Sequence, residues 1–270
     1  QQADKILLNY INGDYSCHIP QNYEGAIYQV FSSVEQLATM LQSKNETERK
    51  AKEFLKDTIS DISHQLKTPL AALAMYQEII ESEPENAETV KQFAAKMGIS
   101  LKRMEQLILS MLKITRLDTG NIIFEKKSCR VSELIAHSVN ELTARAKNEN
   151  KQIQIDGDGE QKLICDMEWT GEAIGNIVKN ALDHTQVGGI VRITWNRAPA
   201  MFQIFISDNG SGIAPEDIHH IFKRFYRSKH SIDTQGIGLG LPLAKSIIEG
   251  QGGVISVQSE SGKGTLFTLS

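Results

Sequence analysis

Cysteine is scarce: only Cys17, Cys129 and Cys165 occur in 270 residues. They make no Cys-x-x-Cys pair and no histidine-rich cluster accompanies them. Neither a disulfide framework nor a zinc site is expected, and free thiols suit a reducing compartment. No apolar run approaches the ~20 residues needed to span a bilayer, and no signal peptide is visible. The chain starts without methionine, so it reads as a piece of a longer protein whose membrane span, if it has one, lies elsewhere. A long basic run is also missing and the net charge is −4, so nucleic acid is not the expected partner. What is present, 40% hydrophobic and 23% charged residues, is the balance of a globular chain. The length fits one large domain or two to three small ones.

Residues 1–25 mix Gly, Pro, Asn and Asp with scattered apolar residues and read as a connector. A helical period begins at Ile27 and continues through Val30, Phe31, Val34, Leu37 and Leu41, and a charged bridge, SKNETERKAKE, follows. Leu55, Ile59, Ile62, Leu66, Leu70, Leu73, Gln77 and Ile80 then recur at spacings of three and four. ESEPEN (81–86) breaks the pattern, and a second stripe runs Val90, Phe93, Met97, Leu101, Met104, Ile108, Met111, Thr115. Two amphipathic helices with a short turn make an antiparallel hairpin. A lone hairpin buries both stripes poorly, so pairing with a second copy in a four-helix bundle, a homodimer, is expected.

After LDTGN (117–121) the texture changes. The patterns predict strands at 122–126, KQIQID, KLICD, GIVRITW, MFQIFISD, GVISVQS and TLFTLS. Helices are predicted from a Ser132 cap to Asn148, over Met167–His184 and over Leu241–Gln251. This mixture predicts an α+β sandwich, with the boundary between all-helical and mixed parts near residue 120.

Within SDISHQLKTPLAAL, His64 lies two residues from both Ile62 and Leu66, on the opposite side of the helix from that stripe. It faces solvent. A surface histidine is unremarkable by itself, but Pro69 removes the N–H that would bond the carbonyl of Gln65 and crowds that carbonyl, one turn from His64. A packing kink would explain the proline equally well. An unperturbed imidazole titrates near ~6.5 and is a good nucleophile at neutral pH, so an exposed histidine here suits acceptance of a group from another domain.

Three later stretches read as a nucleotide site. NIVKNALDHT places Asn176 and Asn180 four apart on one helix face, and their amide oxygens suit Mg²⁺ bridging phosphates, although two polar residues on a wet face would look the same. In SDNGSGI, Asp208 ends a strand before Gly210 and Gly212. Its carboxylate suits an exocyclic amine such as adenine N6, and the alternative is a plain turn. GIGLGL, with Gly236, Gly238 and Gly240, opens a helix whose N-terminus favours phosphate. The 23 residues Ile213–Gln235 between these last two read as a lid carrying Lys223, Arg224, Arg227, Lys229 and His230. Phe222, Phe225 and Tyr226 would pack that lid against a neighbouring domain or serve as ordinary core.

In this order the segments resemble a sensor histidine kinase of two-component signalling. SHQLKTPL is similar to the family's H box, NIVKNALDHT to its N box, SDNGSGI and GIGLGLPLAKSIIEGQGG to its two glycine boxes, and IFKRFYRS to its F box. The likeness covers about residues 50–270, and residues 1–45 more faintly resemble a HAMP linker. It implies three regions: a HAMP-like linker (1–45), a dimerisation and histidine phosphotransfer domain (46–120) of the HisKA type, and a catalytic ATP-binding domain (121–270) with a Bergerat-type α+β sandwich. It implies that His64 is the phosphoacceptor, that Asn180 ligates Mg²⁺ with Asn176 on the same face, and that Asp208 reads adenine. Gly210, Gly212, Gly236, Gly238, Gly240 and the adjoining Leu241 correspond to the nucleotide loops, Arg227 to a lid arginine near the γ-phosphate, and Thr68 to the position that orients water in dephosphorylation.

Three positions depart from the family's commonest pattern. Gln65 stands where an acid often serves as proton acceptor, and an amide does not titrate. Asp183 replaces a basic residue that often meets phosphate, and His184 replaces an aromatic that lies against adenine. The resemblance implies a homodimeric autokinase using ATP and Mg²⁺. A hinge near Leu117–Asn121 would bring His64 to the γ-phosphate, and the phosphoryl group would pass to an aspartate of a response regulator receiver domain. The chain would then be the cytoplasmic portion of a membrane-anchored sensor. Alternatives are a phosphatase-dominant sensor, favoured by Gln65, a non-kinase ATPase of the same nucleotide fold, and a dimerisation scaffold.

Overall fold

The computed structural model describes residue 10 and residues 26–120, 122–198, 201–228 and 236–270. The weak HAMP markers before residue 26, the hinge residue Asn121 and the lid residues Lys229 and His230 lie outside the described residues. The chain divides into two units, residues 1–68 and 69–270.

The first unit contains most of helix α1 (Ala26–Ser82). Its charged stretch stays helical because side chains one turn apart pair with each other. Arg49 reaches Glu46 at 2.9 Å and Glu53 at 2.7 Å, and Lys52 reaches Glu48 at 2.9 Å. Ile62 and Leu66 are half-buried, and His64 on the other side is exposed. Leu55 and Ile59 are left 58% and 55% exposed in the single chain.

The division falls at Pro69, which is buried and does not interrupt the helix. In the second unit, α1 ends and α2 (Ala87–Asp118) begins after an Asn86 cap, whose side chain accepts from Thr89 N at 3.2 Å. The rings of Tyr76 and Phe93, 5.6 Å apart, hold the two arms of the hairpin together. The expected stripe on α2 is only partly the buried one. Leu107, Met111 and Ile114 are buried, whereas Leu101 and Ile108 are exposed. The C-terminal half of α2 has two apolar faces, and the one that carries Leu107 and Ile114 is hidden as α2 packs on the mixed domain.

That domain is a two-layer sandwich. A short antiparallel pair joins β1 (Lys127–Arg130) to β3 (Lys162–Cys165). The main sheet has order β2-β4-β5-β7-β6, built from β2 (Gln152–Asp156), β4 (Ile190–Arg197), β5 (Phe202–Asp208), β6 (Ile255–Glu260) and β7 (Gly264–Leu269). Only the β2–β4 pairing is parallel. Helices α3 (Val131–Asn148), α4 (Met167–His184) and α6 (Gly240–Gly250) pack side by side, with α4 central, and a short α5 (Pro215–Ile218) sits in the lid segment. Phe267, Ile193 and Ile206 from the sheet and Ile174, Ile177 and Ile247 from the helices are fully buried, the core expected where two apolar layers face each other.

Two local expectations fail. Residues 122–126 are not a strand: Glu125 N–H donates to the Asp166 carboxylate at 2.9 Å instead of to a strand partner, and pairing starts only at Lys127. Ser132 does not cap α3. The helix has already begun at Val131, and the Ser132 hydroxyl donates to the Gly159 carbonyl at 2.9 Å.

Candidate functional site

The second unit holds a cavity of about 580 Å³ formed by α4, the loop after β5, the lid segment, the glycine loop before α6, and about two turns of α2. The construction begins with α4. Asp166 caps it by accepting from Trp169 N at 3.2 Å, and Ala173, Ile174, Ile177, Val178, Ala181 and Leu182 turn into the core. That burial fixes the helix rotation, so Asn176, Asn180, Asp183 and His184 share the flank that lines the cavity. Asn176 is itself oriented: its amide donates to the Glu172 carbonyl at 3.0 Å.

Asp208 ends β5 and faces the cavity. Its Oδ1 accepts from Gly210 N at 2.9 Å. Burial raises its carboxyl above the ordinary aspartate range, opposed by hydrogen bonds from the Gly210 and Thr265 backbones and by His184. Gly210 lies behind the wall: a Cβ there would come 2.3 Å from the His184 carbonyl, so the loop can pass α4 only as glycine. Across the cavity, Gly236, Gly238, Gly240 and Leu241 lead into α6, whose first-turn N–H groups have no partner within the helix. Gly238 adopts φ +73°, and a Cβ would sit 2.8 Å from the Tyr226 carbonyl. Gly212 and Arg227 complete the set of predicted residues on the wall.

Asp208, Gly212, Asn176, Asn180, His184, Arg227, Gly236, Gly238, Gly240 and Leu241 therefore line one cavity, with Gly210 supporting it. His64, Gln65 and Thr68 belong to the first unit, on α1; His64 and Thr68 are exposed and Gln65 is half-buried. The aromatic lid residues are tied into their own domain. Phe222 meets Phe267 edge-on at 6.5 Å and carries Lys245 over its face at 5.3 Å, while the Tyr226 hydroxyl donates to Asp217. Arg224, expected among the lid cations that close over phosphates, is paired with Asp118 at the end of α2.

Sequence reasoning missed several groups. Lys113 of α2 and Lys179 of α4 line the cavity, and Lys113 is held by Glu172 at 2.6 Å. Only the long-range packing of α2 brings Lys113 there. Asp183, flagged as a departure, is neutralised by Arg145 of α3 at 2.6 Å, so its charge is not presented alone to a phosphate. No group of three or more His, Cys, Asp or Glu side chains able to hold a metal occurs among the described residues. The amide oxygen of Asn180 is nevertheless a suitable donor for Mg²⁺, which prefers phosphate oxygens and water to an all-protein cage.

Two family models match this chain. "His Kinase A (phospho-acceptor) domain" covers residues 54–120, and "Histidine kinase-, DNA gyrase B-, and HSP90-like ATPase" covers 165–270. The chain is 30% identical over 216 residues to the sensor-like histidine kinase SenX3 of Mycobacterium tuberculosis, covering 79% of this chain and 53% of that protein. It is also 30% identical over 217 residues to the sensor protein SrrB of Staphylococcus aureus, covering 79% of this chain and 37% of that protein. The chain thus spans about half the length, or less, of these curated relatives. Its fold is similar to that of the Acinetobacter baumannii histidine kinase AdeS (TM-score 0.63, 18% identity, 76% of this chain and 95% of that one). It is similar too to the histidine kinase ThkA, solved in complex with the response regulator protein TrrA (TM-score 0.66, 21% identity, 84% and 65%). With the phosphoacceptor and ATPase modules matched in order, and most of the cavity wall supplied by the second, the chain belongs to the sensor histidine kinases of two-component systems.

Proposed function

We propose that this chain is the kinase core of a two-component sensor: an ATP-dependent protein histidine autokinase whose acceptor is His64. The convergence of Asn176, Asn180, Asp208 and the glycine loop on one cavity of nucleotide size carries the reading. The Asp208 carboxylate accepts from the adenine amine, and the α6 N-terminus and Arg227 receive the phosphates. Asn180 would hold Mg²⁺ together with phosphate oxygens, and the bound ion would offset charge on the transferring group. The lone pair of a His64 ring nitrogen attacks the γ-phosphorus, the N–P bond forms, and the bond to the β-phosphate oxygen breaks to release ADP. Catalysis here is mainly positioning and charge stabilisation. The phosphoryl group then passes to a carboxylate oxygen of an aspartate on a response regulator receiver domain. The ThkA complex with a response regulator supports that partner class.

The working unit is proposed to be a homodimer, supported by apolar side chains left exposed along α1 and α2. Its regions are a HAMP-like linker (1–45), the phosphotransfer domain (46–120) and the catalytic domain (121–270). We place the chain in the cytoplasmic portion of a membrane-anchored sensor. None of the described helices is long and apolar enough to cross a membrane.

The test is autophosphorylation from radiolabelled ATP. The wild-type chain is expected to gain an acid-labile phosphoryl group, and His64→Ala to gain none. Retention of the label by His64→Ala would refute the acceptor assignment. Gln65 favours a second reading, a phosphatase-dominant sensor in which Thr68 orients water, because an amide next to His64 cannot take a proton. A Gln65→Glu variant that strongly raises autophosphorylation would mark the native residue as a brake and support that reading. An unchanged rate would remove it.

A further inference from the structure

Outside the nucleotide cavity, two of the three cysteines of the chain meet. Cys129 on β1 and Cys165 on β3 place their sulfurs 3.5 Å apart. The antiparallel register pairs Cys129 with Leu163 and Lys127 with Cys165, so the cysteines are diagonal neighbours on the same face of the strand pair. Both are reduced. A disulfide holds its sulfurs at about 2.05 Å, so closing the gap takes a movement of roughly 1.5 Å, within reach of side-chain rotation and a small strand shift. We propose that Cys129 and Cys165 are a modification site: a reversible thiol–disulfide couple that answers to low-molecular-weight disulfides and acts on the nucleotide cavity.

The two thiols differ in access, and that orders the chemistry. Cys165 is 6% exposed, and burial pushes its thiol up to about 12. Cys129 is half-buried. Cys129, as thiolate, attacks one sulfur of the small disulfide and expels one small thiolate, leaving a mixed disulfide. Cys165 then loses its proton to the expelled thiolate and attacks the Cys129 sulfur, and the second small thiol leaves. Two protein thiols are oxidised by two electrons, one small disulfide is reduced to two thiols, and one protein disulfide is formed.

The link to the cavity runs through the next residue. Asp166 caps α4, and its own N–H donates to Gln251 Oε1 at 2.8 Å. Gln251 caps α6 and donates from Nε2 to Thr170 Oγ1 of α4 at 2.9 Å. A pull on Cys165 toward β1 therefore displaces the knot that fixes the start of α4 to the end of α6. Both helices wall the cavity, so oxidation is expected to weaken nucleotide binding. This coupling rests on the ATP-binding reading above; the disulfide does not.

The experiment uses the chain carrying Cys17→Ser, equilibrated over a series of glutathione to glutathione-disulfide ratios, alkylated and digested. Expected is a peptide pair joined through Cys129 and Cys165, lighter by two hydrogens, whose fraction follows a two-electron titration. In the same samples the Kd for a fluorescent ATP analogue rises at least threefold, returns on adding dithiothreitol, and does not move in a Cys129→Ser variant. Alkylation of both cysteines at every ratio, or linkage only between chains, would overturn the proposal. A linked peptide with unchanged Kd would overturn the coupling. Reduced protein that binds no analogue would defeat the ATP-binding reading and with it the coupling, while the linked peptide still decides the disulfide.

Discussion

Replacing Asp208 by asparagine isolates the adenine contact with almost no change of shape. In the native site one carboxylate oxygen is committed to Gly210 N at 2.9 Å. The asparagine amide oxygen takes over that bond and turns its NH₂ toward the base. A donor then faces the adenine amine, itself a donor, so one charge-assisted hydrogen bond is lost and nothing replaces it. Such a bond is worth about 1.5–3 kcal/mol, which is roughly a 10- to 150-fold rise in Kd for ATP. The empty protein should not suffer. Burial raises the Asp208 carboxyl in the folded state, so its ionised form opposes folding at neutral pH, and that opposition is relieved as pH falls through the raised value. Asp208→Asn should therefore unfold without nucleotide at the wild-type temperature or slightly above it.

The same shift gives a pH signature. Adenine needs the ionised carboxylate, so wild-type affinity should begin to fall on acidification at a pH above the ordinary aspartate value of ~3.9. The asparagine variant should lack that limb. Calorimetric titration with ATP and with inosine triphosphate, which presents a carbonyl where adenine has its amine, completes the assay. Wild type should prefer ATP, and the variant should lose the preference. A variant that stays folded by circular dichroism, binds ATP within twofold of wild type and keeps the base preference would refute the role of Asp208.

Gly238→Ala puts a side chain at φ +73° and a Cβ 2.8 Å from the Tyr226 carbonyl. The left-handed backbone alone costs about 1–2 kcal/mol, so thermal unfolding should show a drop of roughly 2–8 °C, together with weaker nucleotide binding. Gln251→Ala removes the acceptor of the Asp166 N–H, and Asp166 is only 7% exposed. Urea denaturation should register a loss of about 1–3 kcal/mol. Leu70, 59% exposed in the single chain, should be covered in the dimer. Leu70→Glu enters a symmetric interface twice, and at about 1.5–3 kcal/mol per leucine the dimer dissociation constant measured by sedimentation should rise more than 100-fold.

The helical hairpin and the order of strands and helices were legible because each rests on periodicity, a property of neighbours in sequence. The charged stretch around Arg49 is continuous with its flanking apolar runs because ion pairs one turn apart act within the helix too. Errors arose where a distant group decided a local matter. Residues 122–126 have strand-like composition, yet a carboxylate about forty positions on, Asp166, takes the Glu125 N–H. The α2 periodicity marks one face, but the mixed domain packs on a second face that includes Leu107 and Ile114.

The cavity followed the same division. Its glycines, asparagines and Asp208 announced themselves by motif, since a backbone passing close to a ligand or to another strand has few residue choices. The residues that tune it did not. Lys113 reaches the wall only through helix packing, Arg145 answers Asp183 from another helix, and Arg224, which looked like a phosphate cation, is paired with Asp118. Cys129 and Cys165 are the sharpest instance. Their separation in sequence fits no metal or disulfide motif, and only the diagonal register of β1 on β3 brings the sulfurs to 3.5 Å. Spacing rules detect groups that must act together on one element. Groups brought together by strand register or helix packing leave no spacing to detect, so the composition that argued against a disulfide framework had no bearing on a single pair made by the fold.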